Sequence, residues 1–331
     1  MISYRKVLNK LIKINYVSNI FQSLTSNYKI LYYHGVKDDY NFSKMSGPNK
    51  HLFIKKSEFI KQMEYLENAN YNVISIDDLY NLDFKPPKNS IIITFDDGYK
   101  DNLDIVYPIL KKKNYPFTIY IISEIINNDP WVWWIEAWNK IEKINEVEFN
   151  KKTIKLRNEK DKTKFYFELK NKFKKLNLHE QKDLIKKIFN FKKLSDMKSI
   201  FLNKKDIELL INDDLVTIGS HTDVHLSLKN FDKTVVDEQI FKSKLHLEKT
   251  FNIKIKHFSF PYGQKEDIKF DEDLTLSKYN YCTGVTTLEY MYKRFNKYYL
   301  NRCSIGPYID IEDFKRKILG VDSLLKKIFL R

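Results

Sequence analysis

The strongest constraint on this chain is the run Ser90-Ile-Ile-Ile-Thr-Phe95, in which polar and apolar positions do not alternate. A strand with one face in water alternates; a strand that is apolar at consecutive positions is covered on both faces. A helix-period set follows it (Leu103, Val106, Ile109, Leu110), and then a second apolar run, Phe117–Ile122. Buried strand, helix, buried strand is the order of a parallel α/β fold, in which polar residues at the strand C-termini gather at one rim and form the site. Further strands are expected at Lys29–Tyr33 before His34-Gly35, Asn72–Ile76, Leu215–Gly219, Lys256–Phe260, Tyr281–Val285 and Tyr299–Ile305. Helices are expected after an N-cap at Ser57, from Asp77 and over Thr234–Phe251.

Five segments are expected. Residues 1–27 read as an amphipathic helix, with Val7, Leu11, Ile14, Phe21 and Leu24 set among Arg5, Lys6, Lys10 and Lys13. Residues 28–138 form the first part of the α/β unit and 214–308 the second. Between them, residues 139–213 hold no glycine or proline and read as a lysine-rich helical insertion. Residues 309–331 repeat the basic amphipathic theme, with Phe314, Ile318, Val321, Leu325 and Ile328 beside Lys315, Arg316, Lys317, Lys326, Lys327 and Arg331.

The net charge of +15 is local: from Asn139 to Lys205 there are 21 basic against 9 acidic residues. That stretch is mostly lysine, a solvated point charge that suits generic anionic surfaces better than base reading. A plain lysine-rich surface, attraction to anionic lipid or phosphate, and nucleic-acid binding all remain open from composition. Two cysteines, Cys282 and Cys303, exclude a disulfide scaffold or a four-cysteine zinc site. No stretch approaches eighteen uninterrupted apolar residues, and the first residues lack a signal-peptide layout, so the expected compartment is the cytoplasm.

Three polar clusters end apolar strands. Asp96-Asp97-Gly98 puts two carboxylates at a strand end, where they either bind a cation and move protons or form a plain surface turn. Ser220-His-Thr-Asp-Val-His225 places two histidines four apart, expected on one helical face and able to share a divalent ion, or else unrelated in a loop. Phe258-Ser-Phe-Pro-Tyr262-Gly263 closes a strand on a turn that either ends it simply or presents the Tyr262 N–H to a developing oxyanion.

In this order, Thr94-Phe-Asp-Asp-Gly98, Ser220-His-Thr-Asp-Val-His225 and Phe260-Pro-Tyr-Gly263 resemble the polysaccharide deacetylase family, carbohydrate esterase family 4 with the NodB-homology domain. The resemblance covers roughly residues 28–305. It implies a deformed (β/α) barrel holding one divalent metal, typically zinc, on Asp97, His221 and His225. By the family pattern Asp96 is the general base, a metal-bound water is the nucleophile, and the Tyr262 backbone N–H stabilises the oxyanion. The implied activity is hydrolysis of N-acetyl groups on an amino-sugar glycan.

Two positions depart from the family pattern. Many members carry an arginine two positions before the proline to orient the base, where this chain has Ser259. The late Leu-x-His motif that supplies a general acid is missing, since no histidine follows His257. A permuted subgroup carries the equivalent histidine near the start, and Leu31-Tyr-Tyr-His34-Gly35 resembles it, making His34 the expected acid. His51, His179, His246 and His257 have no companions at ligand spacing and read as surface or core. Trp131, Trp133, Trp134 and Trp138 suit a sugar-stacking wall or a core under the insertion.

A cytoplasmic member would meet its sugar as a nucleotide- or lipid-linked precursor in surface-polysaccharide synthesis. The two basic amphipathic ends fit either peripheral attachment to an anionic membrane or docking onto the barrel. The rivals are a non-catalytic glycan-binding relative of the same fold and a phosphate- or nucleic-acid-binding protein that uses the basic insertion.

Overall fold

A computed structural model describes residues 27–127, 130–269, 272–288 and 295–320. The helix expected over Tyr4–Leu24, and the part of the C-terminal one beyond Gly320, lie outside these residues.

Strands in chain order are β1 (Tyr28–Tyr33), β2 (Gly35–Lys37), β3 (Phe53–Lys55), β4 (Asn72–Val73), β5 (Ser90–Phe95), β6 (Phe117–Ile121), β7 (Glu146–Phe149), β8 (Lys152–Lys155), β9 (Val216–Ser220), β10 (His257–Ser259), β11 (Thr283–Val285) and β12 (Cys303–Ser304). The α-helices are α1 (Asp39–Lys44), α2 (Lys56–Asn68), α3 (Ile76–Asn81), α4 (Tyr107–Lys112), α5 (Trp133–Ile141), α6 (Glu159–Phe173), α7 (Leu178–Phe189), α8 (Lys204–Ile211), α9 (Lys233–Phe251), α10 (Glu272–Lys278) and α11 (Ile311–Ile318).

Eight strands form one curled parallel sheet in the order β11-β10-β9-β6-β5-β1-β12, with β4 joined to the start of β5. A parallel bridge between Val285 and Leu300 brings its two edges together. Register aligns the C-terminal ends: Tyr33 lies opposite Phe95, Ile121 opposite Ser220, and Ser220 opposite Phe258. The residues that follow these ends therefore converge at one rim.

All six residues of β5 are buried, as its lack of alternation requires. Ile91, Ile93 and Phe95 pack into the main core with the helices, while Ile92 joins Ile30, Tyr120, Val285 and Leu300 on the inner face. The two-residue strand period then carries Thr94 and Asp96 to that inner face.

Three local expectations change. Ser57 lies inside α2, whose N-cap is Lys55; Asp39 captures the Ser57 hydroxyl at 2.5 Å and its N–H at 3.1 Å. The insertion is not wholly helical, because β7 and β8 form an antiparallel hairpin turned by Asn150 and Lys151, both at positive φ. The sequence carried the signal: Glu146-Val-Glu-Phe149 alternates exposed and buried. The helix after the carboxylate pair opens as a π-helical turn over Asn102–Val106 before α4.

Candidate active site and metal centre

Asp97, His221 and His225 meet at the rim, each contributing a ligand atom within 4.8 Å of the others, and all three are buried. Asp97 departs from strand geometry at φ 73°, and Gly98 continues the turn at φ 79°, where an added Cβ would stand 2.8 Å from Ile125 Cδ1. The left-handed backbone turns the Asp97 carboxylate away from the Asp96 direction.

His221 and His225 do not share a helical face as expected. They sit on the loop after β9, where Thr222 and His225 both take positive φ and the Thr222 hydroxyl accepts the His225 N–H at 3.0 Å. The turn brings the imidazole centroids to 4.9 Å. Asp97 Oδ1 lies 3.4 Å from His221 Nε2 and 3.5 Å from His225 Nε2.

The donor set fits a divalent cation. His221 Nδ1 meets the Ser259 carbonyl at 2.8 Å, which fixes the tautomer with Nε2 facing Asp97. Asp97 Oδ1 is buried without a hydrogen-bond partner, a costly state for a carboxylate oxygen unless a cation takes it. Burial pushes the His225 imidazole down to about 3 against the pull of Asp97, leaving it neutral as a ligand must be. Burial also opposes a charge on His221, but Asp96, Asp97 and the Ser259 carbonyl outweigh it and raise its pKa.

Asp96 has a different partner. Arg302, just before β12, grips it with two parallel bonds, Nη1 to Oδ1 at 2.8 Å and Nη2 to Oδ2 at 2.6 Å. The other guanidinium donors go to Thr94 Oγ1 at 3.2 Å, Ser259 Oγ at 3.0 Å and the Thr286 carbonyl at 2.8 Å. All five donors of this 1 % exposed group are thus satisfied. Burial pushes the Asp96 carboxyl up, yet Arg302 and His221 together hold it below the ordinary carboxylate range. Arg302 is a candidate site residue that the sequence reading did not single out. The available signal was a lone arginine inside the apolar stretch Tyr299–Ile305 of a lysine-rich chain.

A cavity of about 400 Å³ opens over this cluster, and His34 and Tyr262 both line it. Asn102 Nδ2 donates to the His34 carbonyl at 2.9 Å, fixing the end of β1. Burial lowers the His34 pKa, with Asp97 and Asp96 opposing. Tyr262 stands at φ 59°, Gly263 at φ 64°, and a Cβ on Gly263 would meet Thr287 N at 2.7 Å. The Tyr262 ring lies edge-on to His225 at 4.8 Å, and its hydroxyl accepts from Trp133 Nε1 at 3.1 Å.

The four tryptophans are all buried, and Trp133 and Trp134 also face the cavity, so the cluster is both core and wall. His257 is core, and His51 is exposed at the cavity mouth.

A family profile described as polysaccharide deacetylase matches residues 83–279. A putative polysaccharide deacetylase of Bacillus subtilis, YxkH, is 35% identical over 80 residues, 23% of this chain. The match spans 29% of that relative's length. Among solved structures, the Streptococcus pyogenes deacetylase PplD, in complex with acetate, superposes with a TM-score of 0.58 at 18% identity, over 88% of this chain and 97% of its own. BC0361, a polysaccharide deacetylase from Bacillus cereus, gives 0.57 at 17%, over 88% and 68%. At these identities the structural likeness is one of fold.

Proposed function

The chain belongs to the polysaccharide deacetylase family, and from that premise we propose that it removes N-acetyl groups from an amino-sugar glycan or its lipid-linked precursor in surface-polysaccharide synthesis. The observation that carries this reading is the buried, unpartnered Asp97 oxygen facing two histidines, beside an Asp96 clamped by Arg302. Asp97, His221 and His225 would hold a divalent cation, expected to be zinc, which when bound polarises the amide carbonyl and acidifies a water.

The chain's own residues do the rest. Asp96, kept deprotonated and aimed by Arg302, accepts a proton from the attacking water. The Tyr262 N–H donates to the carbonyl oxygen as it gains charge. His34 in its protonated form, which Asp97 and Asp96 favour and burial opposes, delivers a proton to the amide nitrogen as the carbon–nitrogen bond breaks, releasing acetate and a free amine and leaving a neutral imidazole. Acetate release from N-acetylglucosamine oligomers by zinc-loaded protein tests this. Release that falls by about 10³-fold or more in Asp97→Asn supports it; no release from any N-acetylated glycan, with zinc, cobalt or nickel, contradicts it.

Neither rival gains an observation. Of Phe165, Tyr166 and Phe167, the aromatics a nucleic-acid stacking platform would use, two are buried and Phe167 alone is exposed, which is too little for a platform. Attachment to an anionic membrane on the cytoplasmic side would fall to the basic segments outside the described residues, because Phe314 and Ile318 of α11 are spent on the core. No helix among the described residues is long and apolar enough to cross a membrane. Flotation with anionic liposomes at low salt tests the attachment, and absence of binding removes it.

A further inference from the structure

Helix α6 of the insertion forms one wall of the cavity. Phe165, Tyr166, Leu169 and Phe173 bury one side of it, and Phe173 stacks on Trp133 at 5.0 Å with the rings 7° from parallel. With that side fixed, the four-residue helical spacing carries Tyr166, Lys170 and Lys174 in a row along the cavity.

The two lysines differ in one respect. Lys174 Nζ sits 2.8 Å from Asp267 Oδ1, a buried carboxylate that also accepts from the Ser227 hydroxyl at 2.7 Å. Lys170 forms no ion pair among the described residues. Its Nζ stands 5.7 Å from the Tyr262 ring centre and 6.0 Å from that of Phe167. Burial, and then the charge of Lys174, lower its pKa, and the more distant charges of Asp267 and Glu266 offset this only in part. Asp96 is taken by Arg302 and Asp97 faces the histidines, so neither floor carboxylate serves it. Glu266, the other acid lining the cavity, is exposed and makes no ion pair with Lys170.

We propose that Lys170 makes this cavity selective for an amino sugar bearing an anionic group, a phosphate or a carboxylate, beside the N-acetyl group to be removed. The inference rests on the deacetylase reading for the sugar but not for the charge. A half-buried ammonium facing a substrate cavity without an ion-pair partner gains a charge-assisted contact from a ligand anion, and such a contact is stronger than a neutral one. The insertion would thereby write substrate choice onto a site whose reacting groups come from the barrel.

Calorimetry on zinc-loaded protein tests this with three probes: the neutral trimer of N-acetylglucosamine, the trimer with a reducing-end phosphate, and the trimer oxidised at that end to a carboxylate. One charged trimer is expected to bind about tenfold tighter than the neutral one. Which of them does so identifies the source of the anion. Lys170→Met should abolish the preference and Lys170→Arg should keep it, with unfolding midpoints showing that both fold. Equal affinities in the wild type, no binding of any trimer, or a preference that survives in Lys170→Met overturns the proposal. Acetate release from the same samples judges the other reading separately: preferential binding without acetate contradicts the deacetylase assignment and leaves the anion site standing.

Discussion

Arg302 holds Asp96 through two charge-assisted bonds of 2.8 and 2.6 Å across 206 residues of sequence. The grip opposes the upward push of burial on the carboxyl, and with His221 it reverses that push. A base with a depressed pKa stays deprotonated as pH falls, so the acid limb of the rate profile lies low. In Arg302→Met burial acts with less opposition, and the limb should move to higher pH, with kcat at neutral pH down about 10²-fold. Arg302→Lys keeps the charge but loses the fork, and should fall between the two. Profiles of kcat/KM against pH read both changes, and an acid limb that does not move contradicts the assignment.

His34 has no part in the donor set of Asp97, His221 and His225. His34→Ala should therefore lower kcat by about 10²- to 10⁴-fold while metal content stays at the wild-type level. Steady-state kinetics beside metal analysis distinguish the cases. Loss of metal, or an unchanged rate, removes His34 as the proton donor.

At the opposite end of the strands, Asp77 Oδ1 lies 3.3 Å from His257 Nε2 and 2.8 Å from Lys256 Nζ. The His257 imidazole beside it, and then Lys256, outweigh burial and hold the Asp77 carboxyl well below its ordinary value. A depressed carboxylate stabilises the fold fully above its unfolded pKa and loses that contribution as pH falls below about 4. Asp77→Asn should cost about 1 kcal/mol at pH 7, with the gap to wild type closing in acid. Urea unfolding at several pH values measures the gap, and a gap constant with pH contradicts the origin given.

Trp133 joins the insertion to the third motif, stacking on Phe173 and donating to the Tyr262 hydroxyl. Trp133→Ala should destabilise by about 3–5 kcal/mol through the cavity it leaves. It should also raise KM, as the turn carrying Tyr262 loses a support. Trp133→Phe keeps part of the stack and should recover most of the stability. Unfolding midpoints and KM that match wild type in Trp133→Ala would falsify this linkage.

The parts of this molecule that could be read from sequence are those in which a local pattern forces the structure. Unalternating β5 had to be covered on both faces, and its end had to reach the rim, so the placement of Asp96 and Asp97 was legible in the sequence. The His221–His225 pair was legible as a pair but not as a loop, because the positive φ of Thr222 and His225 leaves no periodic trace. The Arg302 grip was not legible. Ser259 stands where the family pattern named above places an orienting arginine, and its small side chain lies within reach of the Arg302 guanidinium just before β12. Such a contact depends on how the two edges of the sheet approach, which the register near Leu300 decides. Lys170 was hidden for a related reason, since the sequence does not show which of its many lysines face the cavity.

Metal content, measured by mass spectrometry on the purified protein and on His221→Ala, tests the central claim most directly. About one zinc, cobalt or nickel per chain is expected in the wild type, with its loss in the variant. A wild-type site that is empty and cannot be reloaded with any of these ions would contradict it.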